Sequence, residues 1–164
     1  MALYSGEDVL KLAIELERRG QDLYRLSLTR AENPQLKTLF DYLLGEEIKH
    51  EKIFQNLMEE LSAGAQIQKV ADFTSYLQAL YESYLLVTKS KASKLIEAVE
   101  KPEDLLKAAF VFEKEIILFF HELRRYIPES DHPILEQVIR EEHNHLIRIN
   151  QLHTRLSSRR RNQE

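Results

Sequence analysis

The sequence contains no cysteine among its 164 residues. This excludes disulfides, zinc–thiolate sites and iron–sulfur clusters within the chain. Any metal ion must therefore be held by oxygen and nitrogen ligands. The absence of cysteine also fits a reducing compartment, and we expect the protein to be cytoplasmic.

Glycine and proline are also scarce, with four of each, so the sequence has few residues typical of turns. We therefore expect a few long helices. The longest apolar cluster, residues 116–120, is far shorter than the roughly 20 residues of a membrane span. The first ten residues include Glu7 and Asp8 and lack the apolar run of a signal peptide. With a net charge of −4, neither a membrane nor a nucleic acid is an expected partner.

Hydrophobic periodicity predicts an all-α fold in one domain, residues 1–156. The predicted helices cover about 5–31, 33–61, 102–128 and 131–156. Asn33 and Pro34 fit an N-cap and a first helical residue, and so short a connection predicts antiparallel neighbours. Residues 65–101 form a long crossover that we predict to contain a short helix. Residues 157–164, a basic tail, are predicted to be disordered.

Each predicted helix has an apolar stripe that is interrupted by a charged or polar residue. An ionised carboxylate in such a stripe is costly unless it is paired or binds a metal. Two of the helices carry a Glu-x-x-His pair, whose side chains lie next to each other on one helix face. The interrupting residues are Glu17, Glu47, His50, Glu113, Glu142 and His145.

These six residues form two matching sets. The separation of Glu17 and Glu47 is 47 − 17 = 30 residues, and that of Glu113 and Glu142 is 142 − 113 = 29. In a four-helix bundle of two related hairpins, the six side chains would converge as the ligands of a carboxylate-bridged dimetal site. Two divalent cations would neutralise the four carboxylates, and iron, manganese or zinc suits such ligands. The alternative is a metal-free interaction bundle.

Four stretches around these residues resemble the rubrerythrin family of the ferritin-like superfamily: AIELERRGQDLY, GEEIKHEKIF, FEKEIILFF and REEHNHLIRI. The resemblance implies a ferritin-like four-helix bundle with a dimetal centre, usually iron. It also implies an oxidoreductase that reduces hydrogen peroxide or dioxygen, and often a homodimer. It makes Glu47 and Glu142 candidates for bridging both metals, Glu17 and Glu113 terminal carboxylates, and His50 and His145 the nitrogen ligands.

The chain departs from the family pattern at two points. Classical rubrerythrins carry a rubredoxin module with four cysteines, so we expect electrons to come from a separate donor protein. They also place an extra carboxylate three residues after the third-helix glutamate, where this chain has Ile116. This favours the alternative of a protein that binds and oxidises ferrous iron without dedicated peroxidase turnover.

The neighbours of the six residues carry further expectations. Tyr24, two turns after Glu17, is a hydrogen-bond donor to the metal ligands, an electron relay or an ordinary core tyrosine. Other polar residues near the two pairs are predicted to face solvent: Glu46, Glu51, Glu141 and His143.

Overall fold

In the computed structural model, four helices are described, and they form two hairpins. The description covers residues 6–64, 99, 101 and 104–161. The helices are α1 (Gly6–Arg30), α2 (Pro34–Gly64), α3 (Asp104–Leu123) and α4 (His132–Arg161), with a short 3₁₀ turn at Glu129–Asp131. The predicted all-α four-helix bundle is confirmed. The crossover helix predicted within 65–101 lies almost entirely outside the described residues.

The connection between α1 and α2 ends in a side-chain cap. The Asn33 Oδ1 accepts a hydrogen bond of 2.8 Å from the backbone N–H of Gln35, and Pro34 is the first helical residue. Helix α1 packs along α2, and α3 packs along α4. The hairpins meet where α1 contacts α3 and α2 contacts α4, so the order around the bundle is α1, α2, α4, α3.

Two helix ends differ from the sequence prediction. Helix α3 ends at Leu123 and not near Pro128, because beyond Arg124 the backbone N–H groups of Arg125 and Tyr126 bond to carbonyls three residues back. Helix α4 continues to Arg161, so the part of the predicted tail (157–164) that the structure describes is helical. Arginine is a good helix former, and the Ser158 hydroxyl bonds to the carbonyl of Thr154, so nothing ends the helix at Leu156.

The core consists of leucines and aromatic rings from all four helices. The largest fully buried side chains include Tyr24, Phe40, Phe54, Phe119 and Phe120. The rings of Phe54 on α2 and Phe120 on α3 lie 4.9 Å apart between centroids, which joins the hairpins across the bundle. Within this apolar surrounding, the described chain buries eight polar side chains, and six of them are the predicted metal ligands.

Candidate metal centre

The structure brings together all six residues singled out from the sequence. Helix α1 supplies Glu17 and α3 supplies Glu113, whereas α2 and α4 each supply one Glu-x-x-His pair. Each of the six side chains is completely buried, with 0% of its surface exposed. Helical periodicity put these residues on the inner faces, and the antiparallel hairpins bring those faces to the same level of the bundle.

The six side chains form two overlapping groups of possible metal ligands. One group is Glu17, Glu47, His50 and Glu142, and the other is Glu47, Glu113, Glu142 and His145. Within each group, the candidate ligand atoms lie within 4.8 Å of one another. Glu47 and Glu142 belong to both groups, as expected of carboxylates that could bridge two metal ions.

Glu142 lies between the two imidazoles. Its Oε1 is 2.7 Å from the Nδ1 of His50, and its Oε2 is 2.8 Å from the Nδ1 of His145. The imidazole rings are nearly parallel, with centroids 5.8 Å apart. Both histidines therefore direct the same ring nitrogen, Nδ1, into the carboxylate cluster.

Glu17 and Glu113 each belong to one of the two groups, and each lies near the histidine of its own group. The Glu17 Oε2 lies 3.9 Å from the His50 Nδ1, and the Glu113 Oε1 lies 3.6 Å from the His145 Nδ1. The Glu47 Oε1 is 3.9 Å from the His145 Nδ1. The placement of Glu17 beside His50 and of Glu113 beside His145 follows the two-fold relationship of the sequence repeat.

Burial changes the acid–base properties of the carboxylates. It raises the pKa of Glu17 well above the usual value, and the nearby charge of Glu142 raises it further. Burial also raises the pKa of Glu47, and the nearby charge of Glu17 raises it further. Burial and the charge of Glu142 raise the pKa of Glu113 to about 8. Glu142 is the exception: burial opposes its ionisation, yet the hydrogen bond with His145 and the ion pair with His50 hold its pKa below the usual range.

The histidines shift in the direction set by these carboxylates. Burial alone would lower the pKa of His50, but the close contact with the Glu142 carboxylate and its charge outweigh burial and raise the pKa to about 9. For His145, Glu113 and Glu142 outweigh burial and raise the pKa to about 11. Without a cation, the cluster therefore holds protons on the same atoms that would bind a metal.

Several buried oxygen atoms of the cluster have no hydrogen-bond partner among the described residues. They are both carboxylate oxygens of Glu17, both of Glu47, Oε2 of Glu113, and Oε1 of Glu142, whose 2.7 Å contact with His50 is an ion pair. Buried polar atoms are normally paired, so each such atom calls for a partner such as an ion. Four carboxylates and two imidazoles form an oxygen and nitrogen donor set that suits iron, manganese or zinc. The residues present therefore fit a pair of divalent cations.

Tyr24 contacts this cluster directly. Its hydroxyl donates a hydrogen bond to the Oε1 of Glu113, and the side chain is fully buried. The ring stacks on Phe40 at 6.1 Å and meets the edge of Phe112 at 6.3 Å, which fixes its position. Tyr24 is thus a hydrogen-bond donor to one of the candidate ligands.

Glu141 was predicted to be solvated, and that prediction was wrong. Its Oε2 lies 2.8 Å from the Nε2 of His50, the ring nitrogen that faces away from the cluster. A carboxylate on the outer nitrogen is the usual way in which a metal-binding histidine is oriented. Periodicity did not find this residue because Glu141 is half-buried and its partner is on another helix. In the sequence, the feature that could have pointed to Glu141 is its position directly before the candidate ligand Glu142.

A sequence model of the rubrerythrin family matches residues 8–102, which is more than half of the chain. The chain belongs to the rubrerythrin family. The match includes Glu17, Glu47 and His50, whereas Glu113, Glu142 and His145 lie beyond it and join the site through the fold.

One solved structure with a similar fold is that of a Thermotoga maritima protein assigned to the ferritin-like diiron-carboxylate proteins. It superposes with a TM-score of 0.71 at 22% sequence identity, over 94% of this rubrerythrin-family chain and 97% of the other. The similarity shows the ferritin-like fold. No curated protein sequence matches the chain. Of the described helices, none is both long enough and apolar enough to cross a membrane.

Proposed function

We propose that this rubrerythrin-family chain is a di-iron carboxylate oxidoreductase that reduces hydrogen peroxide or dioxygen. The observation that carries the proposal is the pair of overlapping Glu/His groups that share Glu47 and Glu142. Electrons would come from a separate donor protein, and the working assembly would be a homodimer.

The six buried side chains would hold the two ions. Glu47 and Glu142, which belong to both groups, would be shared by the two ions, Glu17 and His50 would complete one side, and Glu113 and His145 would complete the other. Two iron ions bound there would supply reversible ferrous–ferric redox chemistry for an oxidant with an O–O bond. Manganese or zinc would suit the same donor atoms.

The chain itself supplies a dry, charged and ordered site. The fully buried ligands keep bulk water away, which strengthens every electrostatic interaction inside the cluster. The Tyr24 hydroxyl holds one oxygen of Glu113, and Glu141 holds the His50 ring with Nδ1 turned inward. These contacts fix the donor atoms before any ion arrives.

A second candidate function is the binding and oxidation of ferrous iron without dedicated peroxidase turnover. The observation that favours it is Ile116, whose side chain is buried in the core and has no group that binds metal. At this position the sequence departs from the family pattern, which has an additional carboxylate there.

Anaerobic titration of the metal-free protein with ferrous iron tests the proposal, with bound metal counted by elemental analysis. Two irons per chain are expected, followed by rapid oxidation when peroxide or oxygen is added. Glu142→Gln should abolish the binding, whereas Glu136→Gln is the control, because Glu136 instead pairs with Arg124 at 3.1 Å. Binding of less than one iron per chain would contradict both candidate functions.

Turnover with an artificial electron donor separates the two candidates. Sustained consumption of peroxide or dioxygen above that of free iron supports the oxidoreductase. A single oxidation without turnover supports iron handling, and the size of the particle in solution then tests for a storage shell.

A further inference from the structure

We infer that the two halves of the cluster bind metal unequally, and that the half formed by Glu17 and His50 takes the first ion. We call Glu17 with His50 the first half-site, and Glu113 with His145 the second half-site. Glu47 and Glu142 are shared. The inference rests on the dimetal function proposed above and adds to it an order of loading.

The first asymmetry lies behind the histidines. The outer nitrogen of His50, Nε2, is 2.8 Å from the carboxylate of Glu141. The outer nitrogen of His145 has no hydrogen-bond partner in the described part of the chain. His145 instead meets the ring of Tyr42 edge-on, with centroids 5.8 Å apart. Within the described residues, a carboxylate on the outer histidine nitrogen is therefore present in the first half-site and not in the second.

The sequence repeat shows how this asymmetry arises. Glu141 precedes Glu142, and Glu46 precedes Glu47 in the same way, so Glu46 is the residue that symmetry would place behind His145. Glu46 instead forms a 2.6 Å ion pair with Lys49 on its own helix. The position equivalent to Lys49 is Asn144, which has no charge to hold Glu141 back.

The second asymmetry concerns the terminal carboxylates. Tyr24 lies 24 − 17 = 7 residues after Glu17, and Phe120 lies 120 − 113 = 7 residues after Glu113. The Tyr24 hydroxyl donates to Glu113, but the equivalent Phe120 has no hydroxyl to offer Glu17. Accordingly, both oxygens of Glu17 lack a hydrogen-bond partner among the described residues.

Both asymmetries favour the same half-site. A carboxylate on the outer nitrogen makes the other nitrogen of an imidazole a more basic ligand and fixes the ring orientation. A hydroxyl that donates to a carboxylate draws electron density from the oxygens that would bind the metal. Among the described residues, the first half-site therefore has the more basic nitrogen ligand and a carboxylate with both oxygens free of hydrogen bonds, whereas Tyr24 occupies one oxygen of Glu113 in the second half-site.

Titration of the metal-free protein with Mn²⁺ tests the order, because EPR distinguishes an isolated Mn²⁺ from a coupled pair. Unequal half-sites should give mainly isolated Mn²⁺ at one equivalent and a coupled pair only later. Glu141→Gln should weaken the first step by about 10- to 100-fold, the usual effect of removing such a partner. Glu136→Gln, which changes a carboxylate on the same helix that pairs with Arg124, should leave it unchanged.

His50→Ala and His145→Ala assign the tight step to one half-site. The tight step should disappear in His50→Ala and persist in His145→Ala. The inference is overturned if the coupled pair forms from the first addition, if Glu141→Gln binds like the unchanged protein, or if His145→Ala loses the tight step. In each of these cases the unchanged protein still binds two ions, so the dimetal function stands. An unchanged protein that binds no Mn²⁺ and no Fe²⁺ would contradict that function itself.

Discussion

The carboxylate of Glu47 occupies the space that a side chain at position 20 would need. A Cβ atom on Gly20 would lie 2.5 Å from the Oε2 of Glu47 and 2.7 Å from Cε1 of Phe112. A glycine inside a helix normally lowers stability. Here it lets α1 pass close to a side chain that belongs to both candidate metal groups.

Gly20→Ala is therefore expected to damage the metal site more than the fold. The contacts are with the movable end of Glu47 and the rim of a ring, so the helix should persist while the carboxylate turns away. Overpacking costs about 1–3 kcal/mol, and the gain in helix propensity offsets about 1 kcal/mol of that. Metal counts should fall below two per chain, and denaturant unfolding should show a loss of up to about 2 kcal/mol.

Gly45→Ala is the matched control for this change. Gly45 also lies inside a helix, and a Cβ there would meet nothing within 4 Å. It should gain about 1 kcal/mol of stability from helix propensity and keep its full metal content. Equal metal content in the two variants would show that the space at Gly20 is not needed for binding.

The sequence predicted the helices and the six inner residues because both depend on local periodicity. The four helices and their charged interruptions follow from a 3.6-residue repeat, which is visible along each segment. Antiparallel packing of two hairpins then brings the interruptions to one level without further information. Glu17 and Glu113 could be recognised because each breaks an otherwise apolar stripe.

The contacts of Glu141 and the conformation of Glu46 could not be predicted in this way. Both residues are half-buried at the edge of the inner face, where periodicity does not distinguish solvent from a neighbouring helix. Whether such a carboxylate turns to a histidine or to a lysine depends on side-chain positions across helices. The extent of α4 was also missed, because the composition of 157–161 allows both a helix and a disordered tail.

The two shared carboxylates should matter more for metal content than the terminal ones. Glu142 contacts both imidazoles, whereas Glu113 belongs to one group only. We expect Glu142→Gln to lose both metal ions and Glu113→Gln to keep one. Elemental analysis of the two proteins, loaded under the same conditions, measures this difference. Equal losses would mean that Glu142 does not bridge.

The stability of the metal-free protein should decrease as the pH rises from about 5 to about 9. The folded-state pKa of Glu113 is raised to about 8 and that of His50 to about 9, so the folded chain holds protons that the unfolded chain releases. Stability is then fully present below the unfolded pKa values and is lost as the pH passes the folded ones. Each group contributes up to about 1.4 kcal/mol per pH unit in its own window.

Denaturant unfolding at a series of pH values, with a chelator present, measures this slope. Glu113→Gln removes one of the titrating groups and should flatten the slope between pH 5 and pH 8. With metal bound, the dependence should reverse, because the ions displace the protons and bind more tightly as the pH rises. A metal-free protein whose stability increases over the same range would contradict this description of the cluster.

Replacing Glu17 should have opposite effects on the metal-free and metal-loaded proteins. Its two oxygens are buried without hydrogen-bond partners, so Glu17→Gln removes an ionisable group from an apolar surrounding. At pH 8 the metal-free variant should be about 1–3 kcal/mol more stable than the unchanged protein. The loaded variant should be less stable than the loaded unchanged protein, because it binds metal more weakly. Bound metal stabilises the fold by about 2.7 kcal/mol when its concentration is 100 times the dissociation constant, and weaker binding reduces this contribution. Thermal melts of both proteins, with chelator and with Mn²⁺, measure this reversal in the order of their stabilities. Glu136→Gln should shift neither melt. An increase in stability under both conditions would instead support the metal-free interaction bundle, in which the buried carboxylate only destabilises the fold.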